Sequence, residues 1–272
     1  MPLEEAKVPV LDRGFTFGDG VYEVLPVYQQ HIFRFSEHID RLNNSLAGIY
    51  LDNPLTRDEW RDILETLVAR NVAGDQSIYL QVTRGVSERD HAIGIAGKPT
   101  VFAMSKPLQR QDFSGGISAI TAEDIRWSLC RIKAITLLPS IILRHQASLA
   151  GAREVILLRN DIVTEGAASN VFIIKNDVVM TPPKDDKILP GITRDLVVEL
   201  LNNAGIICHE KPVSRNELEQ AGEIWITSST WEIVPVVKLD DNPVGDGKPG
   251  SVWKRATEIY QQFKQNASSP QQ

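Results

Sequence analysis

The sequence predicts an α+β protein in two domains with mixed sheets. Three observations carry that expectation. Short β-rich runs alternate with segments of helical apolar period in both halves. Asn-Asp pairs punctuate the second half. An aperiodic stretch rich in Pro, Gly and polar residues, KPLQRQDFSGG, separates the halves. The expected division is a small N-terminal α+β domain over 1–108, a linker over 109–116 and a larger C-terminal α+β domain over 117–272. A length of 272 residues suits one large domain or two ordinary ones.

In the first half, Gly20 to Phe35 reads as a hairpin. VYEVLPVY is β-rich, Gln29-Gln30 makes a polar turn and HIFRF returns. Ile39, Leu42, Leu46 and Ile49 then fall on one helical face, with Ser36 placed to cap its start. Thr56 begins a second helix, Glu59 completes a capping-box pattern, and Trp60, Ile63, Leu64, Leu67 and Val68 form its apolar stripe. Two strands, SIYLQVTR and TVFAMSK, flank a long polar loop, GVSERDHAIGIAGKP. Long loops inside compact domains are often functional.

The second half opens with the strand ISAITAE and an apolar helix from about Leu137 to Ala150. REVILLR, IVTEG, NVFIIK and VVMTP follow as short strands, turned at Asn160-Asp161 and Asn176-Asp177 in the manner of β-meanders. GITRDLVVELLNNAG is a helix with a glycine just past its end. SRNELEQA is a short helix with a Ser/Glu capping box, and EIWITSST is a strand feeding a polar turn. SVWKRATEIYQQFK is the last helix and NASSPQQ a frayed tail.

Composition excludes several classes. With 29 Lys+Arg against 35 Asp+Glu the net charge is −6, and no basic stripe stands out to bind nucleic acid. No apolar run approaches the roughly 18 residues of a membrane helix, and MPLEEAKVPV lacks the apolar core of a secretory signal. Cys130 and Cys208 sit in no CxxC and near no ligand-spaced histidine. A disulfide framework or metal site is therefore not expected. Both cysteines read as small buried hydrophobes, and the reducing cytoplasm as the compartment.

Twelve lysines and five histidines offer many candidates, and spacing alone selects none. GxSxG, HExxH and P-loop lysine patterns are absent. RGFTFGDG invites a phosphate-loop reading, but Gly-Asp-Gly before a strand is more often a tight turn. On residues alone the chain is a two-domain α+β protein with a polar site.

Six motifs take the reading further: DRGFTFGDGVYEV, EHIDRL, RIKAIT, VTEGAASNVF, LPGITRD and TSSTWEIVPV, in that order. Together they resemble the fold-type IV, or class IV, aminotransferases that use pyridoxal 5′-phosphate, most closely the D-amino acid aminotransferases. The resemblance runs from about Asp12 to about Phe263. Branched-chain aminotransferases and aminodeoxychorismate lyases belong to the same group. The implied activity is transfer of an amino group between a D-amino acid and a 2-oxo acid. The alternative is aminodeoxychorismate lyase, which releases pyruvate on the same scaffold.

The resemblance implies that Lys133 is the Schiff-base lysine. A cofactor lysine must present a free amine, against the ordinary fate of a solvated lysine. It implies that Glu165, at an interval of 165 − 133 = 32 residues, pairs with the pyridine nitrogen. Arg41 is implied as the phosphate arginine, able to grip two oxygens in a fork. Ile192 and Thr193, at the start of the GITRD helix, would offer backbone N–H groups and the helix dipole to the phosphate. Ser228 and Ser229 resemble a second phosphate loop, and Asn170 a supporting residue. Tyr22, Arg89 and His91 resemble the trap for the substrate α-carboxylate, with Arg89 and His91 reaching it from the other subunit of a homodimer.

Two departures accompany the match. The family's glycine-and-serine run after Glu-Gly is here Ala167-Ala168-Ser169, so fewer hydroxyls are expected near the cofactor. Relatives carry a strand and turn ahead of the stretch matching MPLEEAKVPV, so the first domain is expected to lack its first strand and the native chain to begin further upstream.

Overall fold

The computed structural model describes residues 1–71, 73–93 and 97–268. Part of the long polar loop (94–96) and the end of the expected tail (269–272) lie outside the described residues. The chain divides into two compact units, Met1–Gln109 with Ile132–Leu137, and Arg110–Arg131 with Leu138–Gln272. The expected division kept 117–272 together. Ile132–Leu137 joins the first unit instead, because its backbone is hydrogen-bonded there: Tyr22 N–H donates to Lys133 O at 2.9 Å and Ile135 N–H to Gly20 O at 3.1 Å.

In the first unit, α1 (Arg13–Phe17) precedes β1 (Gly20–Tyr28). The chain reverses into β2 (His31–Ile32) through Gln29 and Gln30, at φ of 48° and 68°. A two-residue hairpin turn of this kind needs positive φ at both positions. Then come α2 (Phe35–Gly48), α3 (Arg57–Ala69), β3 (Gln76–Thr83) and β4 (Thr100–Pro107). The sheet is antiparallel in the order β2-β1-β3-β4. Val21 faces Val82 and Leu25 faces Ile78 in register, all fully buried. Ile39, Leu42 and Leu46 on α2 are buried as well, the apolar face that their spacing predicts. Glu23 occupies the same phase of β1 as Val21 and Leu25, a charge placed in an apolar row.

Helix starts follow local chemistry. α3 has the expected capping box, with Glu59 N–H donating to Thr56 Oγ1 and Thr56 N–H donating to Glu59 Oε2 at 2.7 Å. Ser36 does not cap α2. The cap residue is Arg34 at φ 55° with no side-chain cap bond, because Phe35 is drawn into the core as the first helical residue.

The second unit contains β5 (Ile117–Glu123), α4 (Leu138–Leu149), β6 (Glu154–Arg159), β7 (Ile162–Gly166), β8 (Asn170–Lys175), β9 (Val178–Thr181), α5 (Ile192–Asn203), β10 (Cys208–Glu210), α6 (Arg215–Glu219), β11 (Glu223–Ser228), β12 (Glu232–Leu239), β13 (Asn242–Pro243) and α7 (Ser251–Ser268). Its mixed sheet runs β10-β9-β8-β11-β12-β5-β6-β7, with β13 on β12. β5 is parallel to both β12 and β6, so the meander of the later strands closes around an inserted parallel strand. The Asn-Asp turns have positive φ at both residues, 52° and 57° at Asn160-Asp161 and 52° and 60° at Asn176-Asp177. Asp240-Asp241 makes a third turn of this kind between β12 and β13.

Strand alternation sorts the second core. Ile224 and Ile226 join Ile173, Val171, Val234 and Val236 on one face. Trp225 points the other way and stacks on Phe172 at 6.1 Å between centroids. Cys130 is buried as expected. Cys208, at the start of β10, is only half-buried, because that short strand lies at the sheet edge. Among the described residues, no helix is long and apolar enough to cross a membrane.

Candidate functional site

Lys133 is positioned by its backbone. Its carbonyl accepts from Tyr22 N–H, and its own N–H donates to Ser45 Oγ at 3.1 Å. The extended segment thus runs along β1 with Ser45 of α2 as its third anchor. The side chain is half-buried, and Nζ stands 4.2 Å from the centroid of the Tyr22 ring. That places an amine against an aromatic face, where its cationic form is attracted. Tyr22 packs in turn on Tyr79 at 5.8 Å. The solvated-lysine alternative does not describe this residue.

Arg41 is buried too, on the α2 face that carries His38 and Ser45. Its Nε and Nη2 donate to the two carboxylate oxygens of Glu23, both at 2.8 Å, and His38 Nδ1 meets Glu23 Oε2 at 2.8 Å. The expected fork is therefore directed at Glu23. Burial opposes ionisation of Glu23, but Arg41 and then His38 hold it well below the usual carboxylate range. Burial pushes His38 down, against the pull of Glu23. The sequence reading missed Glu23 and His38. The signal for Glu23 was present: a charged residue in the inward phase of an otherwise apolar strand.

Arg89 and His91 come together in the first unit, both exposed. The Arg89 guanidinium carbon lies 5.1 Å from the Phe17 ring centroid, and the His91 ring 5.4 Å from it, edge-on.

In the second unit Glu165, one residue before the end of β7, is a buried carboxylate. Three donors converge on it: Arg126 Nη1 on Oε1, and Asn170 Nδ2 and Leu189 N–H on Oε2, each of the latter at 3.0 Å. Arg126 is itself held by Asp124, through Nε at 2.9 Å and Nη2 at 3.0 Å. Burial pushes the Glu165 carboxyl up to about 7, against the opposing field of Arg126. Arg126 and Asp124 were not selected from the sequence, since RWSLC and AEDI carry no spacing that singles out a charged pair.

Asn170 links Glu165 to the start of α5. The same amide nitrogen donates to Leu189 O at 2.9 Å, and a Cβ on Gly191 would stand 2.0 Å from Asn170 Oδ1. Gly191 is therefore a glycine for close approach. It is the cap residue of α5 and makes no side-chain cap bond, which leaves the first turn at Ile192 and Thr193 open to an anion. Asn170 pairs in register with Thr227 of β11. Thr227 Oγ1 is buried with no hydrogen-bond partner among the described residues, and the Ser228–Ser229 turn follows it. Ser228 Oγ accepts from Trp231 N–H at 3.2 Å. In the departed stretch, Ser169 Oγ donates to Glu154 Oε2 at 3.0 Å, away from Glu165.

Taken unit by unit, the chemistry of these residues fits a phosphorylated pyridine aldehyde. Such a group needs an amine, an anionic partner for a ring nitrogen, and donors for a dianion. In the first unit Lys133 would supply the first, and in the second unit Glu165 would supply the second. An uncapped helix start with an orphaned buried hydroxyl on the adjoining strand supplies the third.

The class IV amino-transferase family model matches residues 20–239. The chain is 41% identical to D-alanine aminotransferase of Bacillus licheniformis over 263 residues, 96% of this chain and 93% of that one. It is 42% identical to D-alanine aminotransferase of Listeria monocytogenes over 265 residues, 96% and 91% of the two chains. Among solved structures, branched-chain amino acid aminotransferase of Escherichia coli superposes with a TM-score of 0.90 at 28% identity, covering 97% of this chain and 91% of that one. The branched-chain aminotransferase of the thermophilic archaeon Thermoproteus uzoniensis, with norvaline, gives a TM-score of 0.87 at 29% identity, covering 97% and 91%.

The buried Glu165 makes stability depend on pH in a defined direction. Its carboxyl releases a proton near 4.5 in the unfolded chain and near 7 in the folded, cofactor-free one. Folding takes up a proton between those values, so the contribution is fully present below about 4.5 and lost as pH rises through about 7. The Tm of the apoprotein minus that of Glu165→Gln should fall across this window and level off above it. A difference that is flat or rising there contradicts the assignment.

Proposed function

The chain belongs to the class IV amino-transferases, and on that premise we propose that it transfers the amino group of a D-amino acid such as D-alanine to a 2-oxo acid such as 2-oxoglutarate. The observation that carries the reading is similarity to D-alanine aminotransferases along 96% of the chain. It favours transamination over the lyase alternative. When bound, pyridoxal 5′-phosphate supplies an electron-withdrawing ring that acidifies the α-hydrogen of the amino acid joined to it.

The chain's own groups do the rest. Lys133 presents the amine that attaches the cofactor, and its Nζ takes the α-proton and returns it. The Tyr22 ring attracts Nζ when it is protonated, and the backbone bonds to β1 keep the residue from drifting as its charge changes. Glu165 accepts the ring N–H. A cationic donor there favours the carboxylate and offsets the cost of its burial. Ile192 and Thr193 at the start of α5, with Ser228 and Ser229, bind the phosphate. Arg41, its charge shared with Glu23, orients the phosphate more than it neutralises it.

Tyr22, Arg89 and His91 hold the substrate carboxylate and so decide which face of the α-carbon meets Lys133. In this reading the protein is a homodimer, and Arg89 and His91 of one protomer serve the site of the other. The exposed apolar face of α4 fits a covered surface: Leu138, Ile141 and Leu149 are 66%, 61% and 76% exposed. The compartment proposed is the cytoplasm, where two free cysteines are ordinary.

Purified protein supplied with D-alanine and 2-oxoglutarate should form pyruvate and D-glutamate, and Lys133→Ala should abolish turnover. Turnover restricted to L-alanine, or release of pyruvate from aminodeoxychorismate instead, would overturn the reading. Arg89→Ala tests the trap. It should raise KM for D-alanine and for 2-oxoglutarate alike by roughly 10- to 100-fold, the worth of one charge-assisted hydrogen bond. The bound-cofactor absorbance should stay as in the parent, and a normal KM for both substrates would show that the carboxylate is held elsewhere.

A further inference from the structure

RGFTFGDG spans α1 and the start of β1, and the proposed chemistry assigns it no role. Its contacts are specific. The loop that follows β3 is stitched to it by the backbone: Arg13 N–H donates to Gly85 O at 2.8 Å, Ser87 N–H to Leu11 O at 3.4 Å, and Asp12 and Val86 form an antiparallel bridge. Asp12 is fully buried and ties three segments together. Its Oδ1 accepts from Gly14 N–H at 2.8 Å and Thr83 Oγ1 at 2.7 Å, and its Oδ2 from Thr100 Oγ1 at 2.6 Å.

The side chains reach further, to the residues of the proposed trap. Arg13 Nη1 donates to the carbonyl of Asp90, the residue between Arg89 and His91, at 2.7 Å. Arg13 is in turn fixed by Asp19, Nε to Oδ2 at 2.8 Å, and Asp19 is gripped by Arg84 through Nε at 2.8 Å and Nη2 at 3.0 Å. Ala92 N–H donates to Asp90 Oδ1 at 2.7 Å, closing a turn around His91. The Phe17 ring then stands among three groups: Arg13 at 4.7 Å, Arg89 at 5.1 Å and His91 at 5.4 Å from its centroid.

We infer that RGFTFGDG is the frame that holds Arg89 and His91 at the spacing a substrate carboxylate needs, with Arg13 and Phe17 as positioning residues. The inference rests on the proposed role of Arg89 and His91. An exposed arginine loses side-chain freedom on gripping a ligand, and that loss opposes binding. Phe17 holds the guanidinium and the imidazole on one ring before the ligand arrives. Arg13 fixes the backbone between them, so neither the loop nor the side chains need to order on binding.

The test compares Phe17→Leu, which keeps apolar bulk and removes the π-face, with Arg13→Leu, which leaves Asp19 paired to Arg84. Arg89→Ala and the Phe17→Leu/Arg89→Ala double variant complete the set, and all are loaded with pyridoxal 5′-phosphate. KM for D-alanine and for 2-oxoglutarate should both rise about tenfold in Phe17→Leu and in Arg13→Leu. The kcat and the cofactor absorbance should stay near the parent, and Phe17→Tyr should restore KM. On the Arg89→Ala background, Phe17→Leu should raise KM by less than it does alone, since its effect passes through Arg89.

A merely structural role would lower Tm, kcat and cofactor affinity together without that split, and would add fully to Arg89→Ala. Either pattern overturns the inference. So does an unchanged KM in both single variants when Arg89→Ala raises it. If Arg89→Ala leaves KM unchanged, the proposed role of Arg89 falls and takes this inference with it. If one of the two leucine variants does not fold, the other carries the test.

Discussion

The short extended segment around Lys133 is laid against β1 by backbone hydrogen bonds, Tyr22 N–H to Lys133 O and Ile135 N–H to Gly20 O, with Ser45 Oγ taking Lys133 N–H. The chemistry proposed for the first unit depends on that attachment. An amine that takes and returns a proton must keep its place while its charge changes, and a lysine on a free loop would lose more in ordering than one contact returns. Because the anchors are main-chain groups, they spend none of the side chain. Nζ stays available over the Tyr22 ring. The same strand supplies Tyr22 to one face and Glu23 to the other, so a single two-residue alternation serves both the amine and Arg41.

The second unit solves a different problem, that of keeping a carboxylate in an apolar place. Glu165 is buried, and burial raises its proton affinity to a value close to neutrality. Arg126, Asn170 and Leu189 N–H all donate to it, and Asp124 restrains Arg126 from the far side. Burial thus works against the carboxylate while Arg126 works for it. Asn170 ties this carboxylate to the helix start at Gly191, so the proposed partner of a ring nitrogen and the proposed donors for a phosphate would be set by one amide.

Much of this is legible in the sequence because it is local. The capping boxes at Thr56 and Ser214, the turns at Asn160-Asp161 and Asn176-Asp177 and the helix after Gly191 each follow from a few adjacent residues. The placement of Lys133 in the first unit was not legible, since it depends on two backbone bonds to a strand more than a hundred residues earlier in the chain. Arg126 and Asp124 were hidden for a similar reason: only folding brings them to Glu165. The cap at Arg34 overrode Ser36 because burial of Phe35 outweighs a surface hydrogen bond. Arg41 was singled out by motif, but not its grip on Glu23, which needed the inward phase of β1 to be weighed against the charge it carries.

The proposed chemistry turns on the role proposed for Glu165, as the partner of the cofactor's ring nitrogen. It is tested most directly by a single turnover. Glu165→Gln loaded with pyridoxal 5′-phosphate is mixed with D-alanine in the absence of a 2-oxo acid, and the loss of the cofactor's visible colour is followed beside the parent protein. The variant should bind the cofactor and D-alanine but bleach more slowly by on the order of 10²-fold, the cost of removing one electrostatic partner. A bleaching rate equal to that of the parent would contradict it.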